Sequence, residues 1–276
     1  MTVEGPPERR HALYEHGVQN PAFTLRFIDQ VFKRRFGSVP TSLREDFCGT
    51  AVVARHFVAS SVERVALGVD HCQETLQAGE ARHAQLLDVD ARRRLQLMQG
   101  DVREVQGDEP VDFVDVIVAE NFSYSVFHDE ETLLAYFAFA FSNLNDHGLL
   151  VLDVNAGHLV QQGPHTAVTT KLDDDRQPYT MHWVQESFDA ITNRARFHLT
   201  FAQGEQTWPR AFSYDWRVWS IPELVQLLRR AGFVDVDVHT DAGGKRSGTY
   251  RVTTSHPAQD AFVALITAAR SPATRL

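Results

Sequence analysis

The residues of this chain most able to do chemistry are carboxylates that recur where apolar runs end: Glu45, Asp70, Asp101, Glu120 and Asp153. The first opens Glu45-Asp46-Phe47-Cys48-Gly49-Thr50-Ala51, a strand running into a tight turn and a helix start. Such a corner binds cofactors in open α/β sheets, because glycine lets the backbone approach the ligand. Gly49 is its single glycine. A dinucleotide corner needs three, the second for approach to a pyrophosphate, so NAD and FAD fit poorly. A ligand with a ribose and an amino-acid tail, but no pyrophosphate, tolerates this loop. Asp70 follows about 20 residues later, where a carboxylate accepts hydrogen bonds from ribose hydroxyls. Asp101, after Gly100, can accept from an adenine amino group. One acid at a strand end is commonly a helix cap. Four further acids in series, each at the carboxyl end of a strand, imply a ligand crevice.

Those acids need strands that end side by side. Ser42 to Phe47, Arg64 to Val69, Arg94 to Gln99, Phe113 to Ala119 and Leu149 to Val154 read as strands. Thr50 to Ala59, Gln73 to Leu87 and Glu130 to Asn143 read as the helices between them. Strands apolar throughout and alternating with helices predict a parallel sheet covered on both faces. Before them, Phe23, Phe27, Ile28, Val31 and Phe32 share one helical stripe. After Asn155 the period drops to two, as in Arg194-Ala195-Arg196-Phe197-His198-Leu199-Thr200-Phe201, the mark of antiparallel strands. Pro222 and Gly232 bracket a helix from Glu223 to Ala231, and Val234 to Val238 and Ala261 to Ala269 read as the last strands. The expected organisation is an N-terminal helical cap over 1–40, a core over 41–155 and 220–276, and a β-rich insertion over 156–219 that acts as lid or dimerisation surface.

The formal net charge of −9 disfavours nucleic acid and anionic membranes. Two cysteines, Cys48 and Cys72, are too few for a disulfide framework and fit a reduced, cytoplasmic setting. The N-terminus has no apolar signal segment, and the longest apolar run, around Leu133 to Phe141, is too short to span a bilayer. Thirteen histidines include no HExxH spacing, and although Asp153 with Asn155 offers oxygen ligands for Mg²⁺, no metal is expected.

Leu43 to Ala51, with Glu45 and Cys48-Gly49-Thr50, resembles the first motif of class I S-adenosylmethionine-dependent methyltransferases. Asp70, Gly100-Asp101, Glu120-Asn121 and Asn145 to Asp153 are similar to the later motifs of that family in order and spacing, and Ile221 to Val238 to its closing helix and strand. The chain departs where Phe47 and Ala51 replace the first and last glycines. The resemblance implies an α/β, Rossmann-like fold: a mostly parallel seven-stranded sheet with helices on both faces and an antiparallel β insertion between strands 5 and 6. It implies S-adenosyl-L-methionine as cofactor. Glu45 and the backbone of Phe47, Cys48 and Gly49 would meet its methionine part. Asp70, with His71 beside it, would meet the ribose, and Asp101 and Val102 the adenine. Glu120 and Asn121 would close near the sulfonium, with Tyr14 as a cap.

The implied activity is methyl transfer to an N or O atom of a small molecule by in-line displacement. The stretch Ala211 to Trp219 with Pro222-Glu223 is similar to bacterial methyltransferases of uncertain substrate, whose insertion resembles that of small-molecule N-methyltransferases, including those for amino sugars and glycine. Tyr124, Tyr214 and Arg217 are the candidate catalytic residues, with His128, Trp183, Glu186 and Trp216 as further pocket residues. Asn121-Phe122-Ser123-Tyr124 shares its end residues with the tetrapeptide of nucleic-acid amino-methyltransferases but lacks both prolines, so no nucleic-acid partner is expected. The expected partners are a small-molecule methyl acceptor and, through the insertion, a second copy in a homodimer. Two other readings stay open: a non-catalytic module binding S-adenosylmethionine or S-adenosylhomocysteine, and a nicotinamide-dependent oxidoreductase.

Overall fold

The computed structural model describes residues 3–241, 249–256 and 260–273. Residues 1–2 of the expected cap and 242–248, 257–259 and 274–276 of the expected core lie outside them. The N-terminal segment holds β1 (Val3–Glu4), α1 (Arg9–Val18) and α2 (Pro21–Phe36). Asn20 caps α2 by accepting from the Phe23 N–H at 3.1 Å, and left-handed Gly37 ends it. The stripe read from the sequence is the face that α2 buries, with Phe27, Ile28 and Phe32 almost wholly inaccessible.

The core runs β2 (Ser42–Asp46), α3 (Val52–Ala59), β3 (Val65–Asp70), α4 (Gln73–Arg82), α5 (Val89–Arg93), β4 (Leu95–Gln99), β5 (Val114–Ala119), α6 (Glu130–Ser142) and β6 (Leu144–Ala156). The insertion follows as β7 (His165–Leu172), β8 (Pro178–Asp189), β9 (Arg194–Gln203) and β10 (Gln206–Arg217). The chain returns to the core through α7 (Ile221–Arg230), β11 (Asp235–Asp241), β12 (Tyr250–Val252) and β13 (Phe262–Ala269). A capping box starts α7: Ser220 and Glu223 bond each other's backbone N–H groups.

The core sheet has the order β12-β11-β13-β6-β5-β2-β3-β4. From β2 the chain steps outward to β3 and β4, then β5 crosses to the other side of β2. The carboxyl ends of β2 and β5 therefore flank the point where strand order reverses, which is where ligands bind in such sheets. The sheet has eight strands rather than seven, because the short β12 pairs along the outer edge of β11. Strand β13 is antiparallel to both neighbours.

Three local expectations change. The helix from Gln73 stops at Arg82, because Asp88 accepts from the Ala91 N–H at 2.7 Å and caps a separate helix. Strand β6 begins at Leu144 rather than Leu149, with a bulge over Asn145 to Gly148: pairing jumps from Val114↔Leu144 to Val116↔Leu149. And β1 joins the insertion, pairing parallel with β10 to give a five-stranded sheet β1-β10-β9-β8-β7. Two residues leave no periodic signal that could announce a strand. One face of this second sheet packs Tyr179, Met181, Leu199, Phe201 and Trp208 against Leu13 of α1.

Candidate active site

The corner after β2 is built from left-handed residues. Phe47, Gly49 and Ala51 have φ of 55°, 57° and 56°. Two of the three are residues that resist this region, at about 1–2 kcal/mol each. The turn is held by Cys48 N–H on the Val69 carbonyl at 3.0 Å and Ala51 N–H on Cys48 at 2.8 Å. The Phe47 ring packs on Phe127 and Tyr136. The replaced glycines therefore keep the glycine conformation. A Cβ on Gly49 would meet nothing nearer than Thr75 at 3.7 Å, so the turn faces open space.

Asp70 ties this corner to the next. One oxygen accepts from Gly49 N–H at 2.7 Å, the other from Cys72 N–H at 2.8 Å. Each oxygen keeps a lone pair for a hydroxyl donor. His71 is exposed, 3.6 Å from Asp70. On the third strand's loop, Asp101 grips Arg103 through several bonds, one of 2.5 Å, and this holds its carboxyl below the usual range. Beneath that loop lies Arg44, wholly buried. Its guanidinium donates to Asp46 at 2.6 Å and to the carbonyls of Val102 and Val105 at 2.9 and 2.7 Å. Sequence reading placed Val102 at the adenine and missed the arginine that sets its height. A basic residue inside an apolar strand beside Asp46 was the available signal.

At the strand-order reversal three carboxyls converge. Glu45 lies opposite Val118, two residues before Glu120. Its carboxylate accepts from the Ala54 N–H of α3 at 2.7 Å, so it anchors a helix start as well as facing the crevice. Burial, with Glu120 nearby, pushes Glu45 up to about 8 despite that bond. Burial and Asp153 push Glu120 up to about 8 against the Thr24 hydroxyl, which donates to both its oxygens at 2.9 Å. Asp153 accepts from the N–H groups of Asn121 and Phe122 at 2.9 and 2.8 Å, and burial still raises it to about 7. Asn121 and Phe122 are both left-handed, so their amides point together at Asp153. Among the described residues no Lys, Arg or His pairs with Glu45, Glu120 or Asp153 within 4.0 Å.

Helix α1 closes the crevice. Tyr14 faces Asp153 and Asp70 and bonds Tyr214 of β10, and burial raises its phenol. Next to it Glu15 accepts from the Thr50 hydroxyl and Arg82, both at 2.6 Å, and meets His83 at 3.0 Å. Burial works against its charge, yet those bonds hold it down to about 2. Nothing in the sequence pattern singled out Glu15 or Thr24, whose partners lie 35 and 96 residues away.

The catalytic candidates separate. Tyr214 reaches the crevice with Tyr14 and stacks on Trp216 at 4.3 Å. Tyr124 is 1% exposed and its hydroxyl donates to the Asp153 carbonyl at 2.8 Å, so it packs in the core while bordering the cavity beside Phe122. Arg217 pairs with Glu223, not the adjacent Asp215, and lies 3.7 Å over the Trp219 ring; Asp215 is taken by Arg194. His128 meets the Asp215 carbonyl, and Glu186 pairs with Arg210 and His198. Trp183 stacks with Tyr214 and Trp216. No helix among the described residues is long and apolar enough to cross a membrane.

No protein-family model and no curated protein matches the chain. Solved structures match it over nearly its whole length. An amino pentose methyltransferase from Micromonospora echinaspora, CalS10, has a TM-score of 0.65 at 13% identity, covering 98% of this chain and 99% of that one. The sugar N-methyltransferase KedS8 from Streptoalloteichus scores 0.64 at 18% identity, covering 98% and 96%. An S-adenosylmethionine-dependent methyltransferase from Clostridium acetobutylicum scores 0.61 at 16%, covering 92% and 95%. The fold is that of the class I S-adenosylmethionine-dependent methyltransferases.

Proposed function

We propose that this chain is an S-adenosylmethionine-dependent methyltransferase acting on an amine nitrogen of a small molecule. The observation that carries the reading is the crevice at the strand-order reversal, where Glu45, Glu120 and Asp153 are buried and, among the described residues, none makes an ion pair within 4.0 Å. Such a site is unfavourable when empty of positive charge and favours a cation. S-Adenosylmethionine fits: it supplies a methyl group on a positively charged sulfur, with an ammonium in its tail. Asp70 offers the ribose hydroxyls an acceptor already fixed by two amides, and the loop over Arg44 presents Asp101 and Val102 to the adenine. The open face of Gly49 leaves room for the tail.

The chain's own work is then alignment and exclusion of water. Methyl transfer needs the acceptor's lone pair in line with the methyl carbon. An amine has only to arrive unprotonated, so no strict base is required. Tyr14, Tyr214 and Trp216 form the aromatic wall on the acceptor's side, and their stacked rings give a neutral amine an apolar surface to lie against. The insertion over 156–219 selects the acceptor, and the N-terminal helices seal the crevice. The amine reading is supported by KedS8, a sugar N-methyltransferase, and by CalS10, a methyltransferase of an amino pentose.

The test is ligand-dependent melting followed by turnover. S-Adenosylmethionine and S-adenosylhomocysteine should stabilise the fold, by roughly 2.7 kcal/mol at a hundredfold excess over Kd, while NAD does not. Transfer of labelled methyl to pooled primary and secondary amines, and not to alcohols, should follow. A melting temperature indifferent to both S-adenosyl ligands would sink the reading.

A further inference from the structure

Beside the Asn121-Phe122 turn a narrow cavity separates the core from the inserted sheet. Phe122, Val160 and Phe197 give it apolar walls, Asn155 lies at its core side, and Trp216 and Arg217 enter it from β10. Trp216 is 5% exposed, and its indole N–H has no hydrogen-bond partner among the described residues. Two other tryptophans behave differently: Trp208 donates to the Pro6 carbonyl at 2.9 Å and Trp219 to that of Phe127 at 3.2 Å. The Nε of Arg217 is also buried and unmatched, although its terminal nitrogens serve His128 and Glu223 at 3.2 Å each. Buried donors are nearly always matched, so two unmatched ones on neighbouring side chains that both border one cavity mark where an acceptor belongs.

We propose that this cavity is the subsite for the non-reacting end of the methyl acceptor, and that it takes a carboxylate or carbonyl oxygen flanked by apolar surface. The assignment rests on the methyltransferase reading given above. A donor-only group such as an ammonium cannot satisfy an indole N–H and a guanidinium N–H. Glu223 offsets part of the Arg217 charge, so a neutral carbonyl suffices and a carboxylate binds better. Geometry supplies the rest. Phe122 follows Glu120 and Asn121 directly, so a molecule with its oxygen on Trp216 has its other end at the carboxyl ends of β5 and β6.

The experiment follows the indole N–H signals of ¹⁵N-labelled protein by NMR, with and without saturating S-adenosylhomocysteine, during titration with propionate or its donor-only counterpart, propylammonium. Propionate should move the Trp216 signal saturably and propylammonium should leave it still. Trp216→Phe, which keeps a ring but loses the donor, should bind propionate about tenfold more weakly while its affinity for S-adenosylhomocysteine changes less than about twofold. Should that variant not fold, the Trp216 signal is assigned from its contacts with Phe122 and Phe197, and the contrast between the two probes on the native chain decides. S-Adenosylhomocysteine binding with an indole signal indifferent to propionate, or moved equally by both probes, overturns the subsite and leaves the cofactor reading intact. A signal responsive to propionate in a protein that ignores S-adenosylhomocysteine overturns the assignment to a methyl acceptor.

Discussion

The crevice of the core sheet and the wall of the inserted sheet meet at one site but are held by different means. In the crevice most carboxylates are fixed by backbone amides: Asp70 by Gly49 and Cys72, Asp153 by Asn121 and Phe122, Glu45 by Ala54, while Glu120 takes the Thr24 hydroxyl. In the wall, side chains hold side chains: Arg217 on Glu223 and Trp219, Arg194 on Asp215, Tyr214 on Trp216. Amides are present whatever the residue, so the first arrangement survives substitution around it. The second changes with each side chain. A fold built this way keeps the geometry of its crevice while the facing wall is free to vary.

The contrast can be broken most sharply from below the crevice. Arg44→Met leaves the buried Asp46 carboxyl with the Tyr136 hydroxyl but no cation, and releases the Val102 and Val105 carbonyls. It should cost about 3–5 kcal/mol in urea unfolding. A loss under about 1 kcal/mol would mean the loop stands without its arginine. Asp70→Ala should keep the fold and weaken S-adenosylhomocysteine by about ten- to a hundredfold in calorimetry, as expected for charged hydrogen bonds of roughly 1.5–3 kcal/mol. Unchanged affinity would show that the second strand's acid takes no part.

Proton linkage gives a third and gentler probe. Glu45 and Glu120 sit near 8 and Asp153 near 7, all above the ordinary carboxylate values. A carboxyl raised in the folded state stabilises the fold while protonated, and that contribution is lost as pH rises from the ordinary range through the raised value. The ligand-free protein should therefore melt at progressively lower temperature between about pH 5 and pH 9. A bound cation favours the ionised carboxyls, so the melting shift from S-adenosylmethionine should grow over the same range and exceed that from uncharged-sulfur S-adenosylhomocysteine. Equal pH profiles for the two ligands would remove the carboxyls from the sulfonium's surroundings. The smallest effect belongs to the wall. Tyr214→Phe should change cofactor affinity by less than about 0.5 kcal/mol while turnover with an identified amine falls. An equal loss in both would make Tyr214 part of the cofactor site.

Legibility in the sequence divides along the same line. Apolar strands leave continuous runs, and an acid closing each run is local information, so Asp70, Asp101, Glu120 and Asp153 could be read in order. Phe47 and Ala51 looked like departures, yet they adopt the glycine conformation because the Phe47 ring finds Phe127 and Tyr136, which lie 80 and 89 residues further on. What could not be read are pairings across the fold. Tyr124 stands where a catalytic tyrosine would be sought, but its hydroxyl is spent on β6. Thr24, Glu15 and Arg44 gain their roles only when α1, α2 and the third strand's loop are brought over the crevice.

The two-residue strand at the start of the chain also governs the order in which the molecule can be finished. Val3 and Gly5 donate to the carbonyls of Glu205 and Thr207, some two hundred positions away. During synthesis the N-terminal residues emerge first and wait for β10 before they can dock. Closing so long a loop is entropically costly and slow. Helix α1, which carries Tyr14 and Glu15, follows that strand directly. A nascent chain thus keeps its crevice ajar until the inserted sheet is complete, and a truncated product that ends before β10 is left with the corner after β2 and no strand on which to fasten α1.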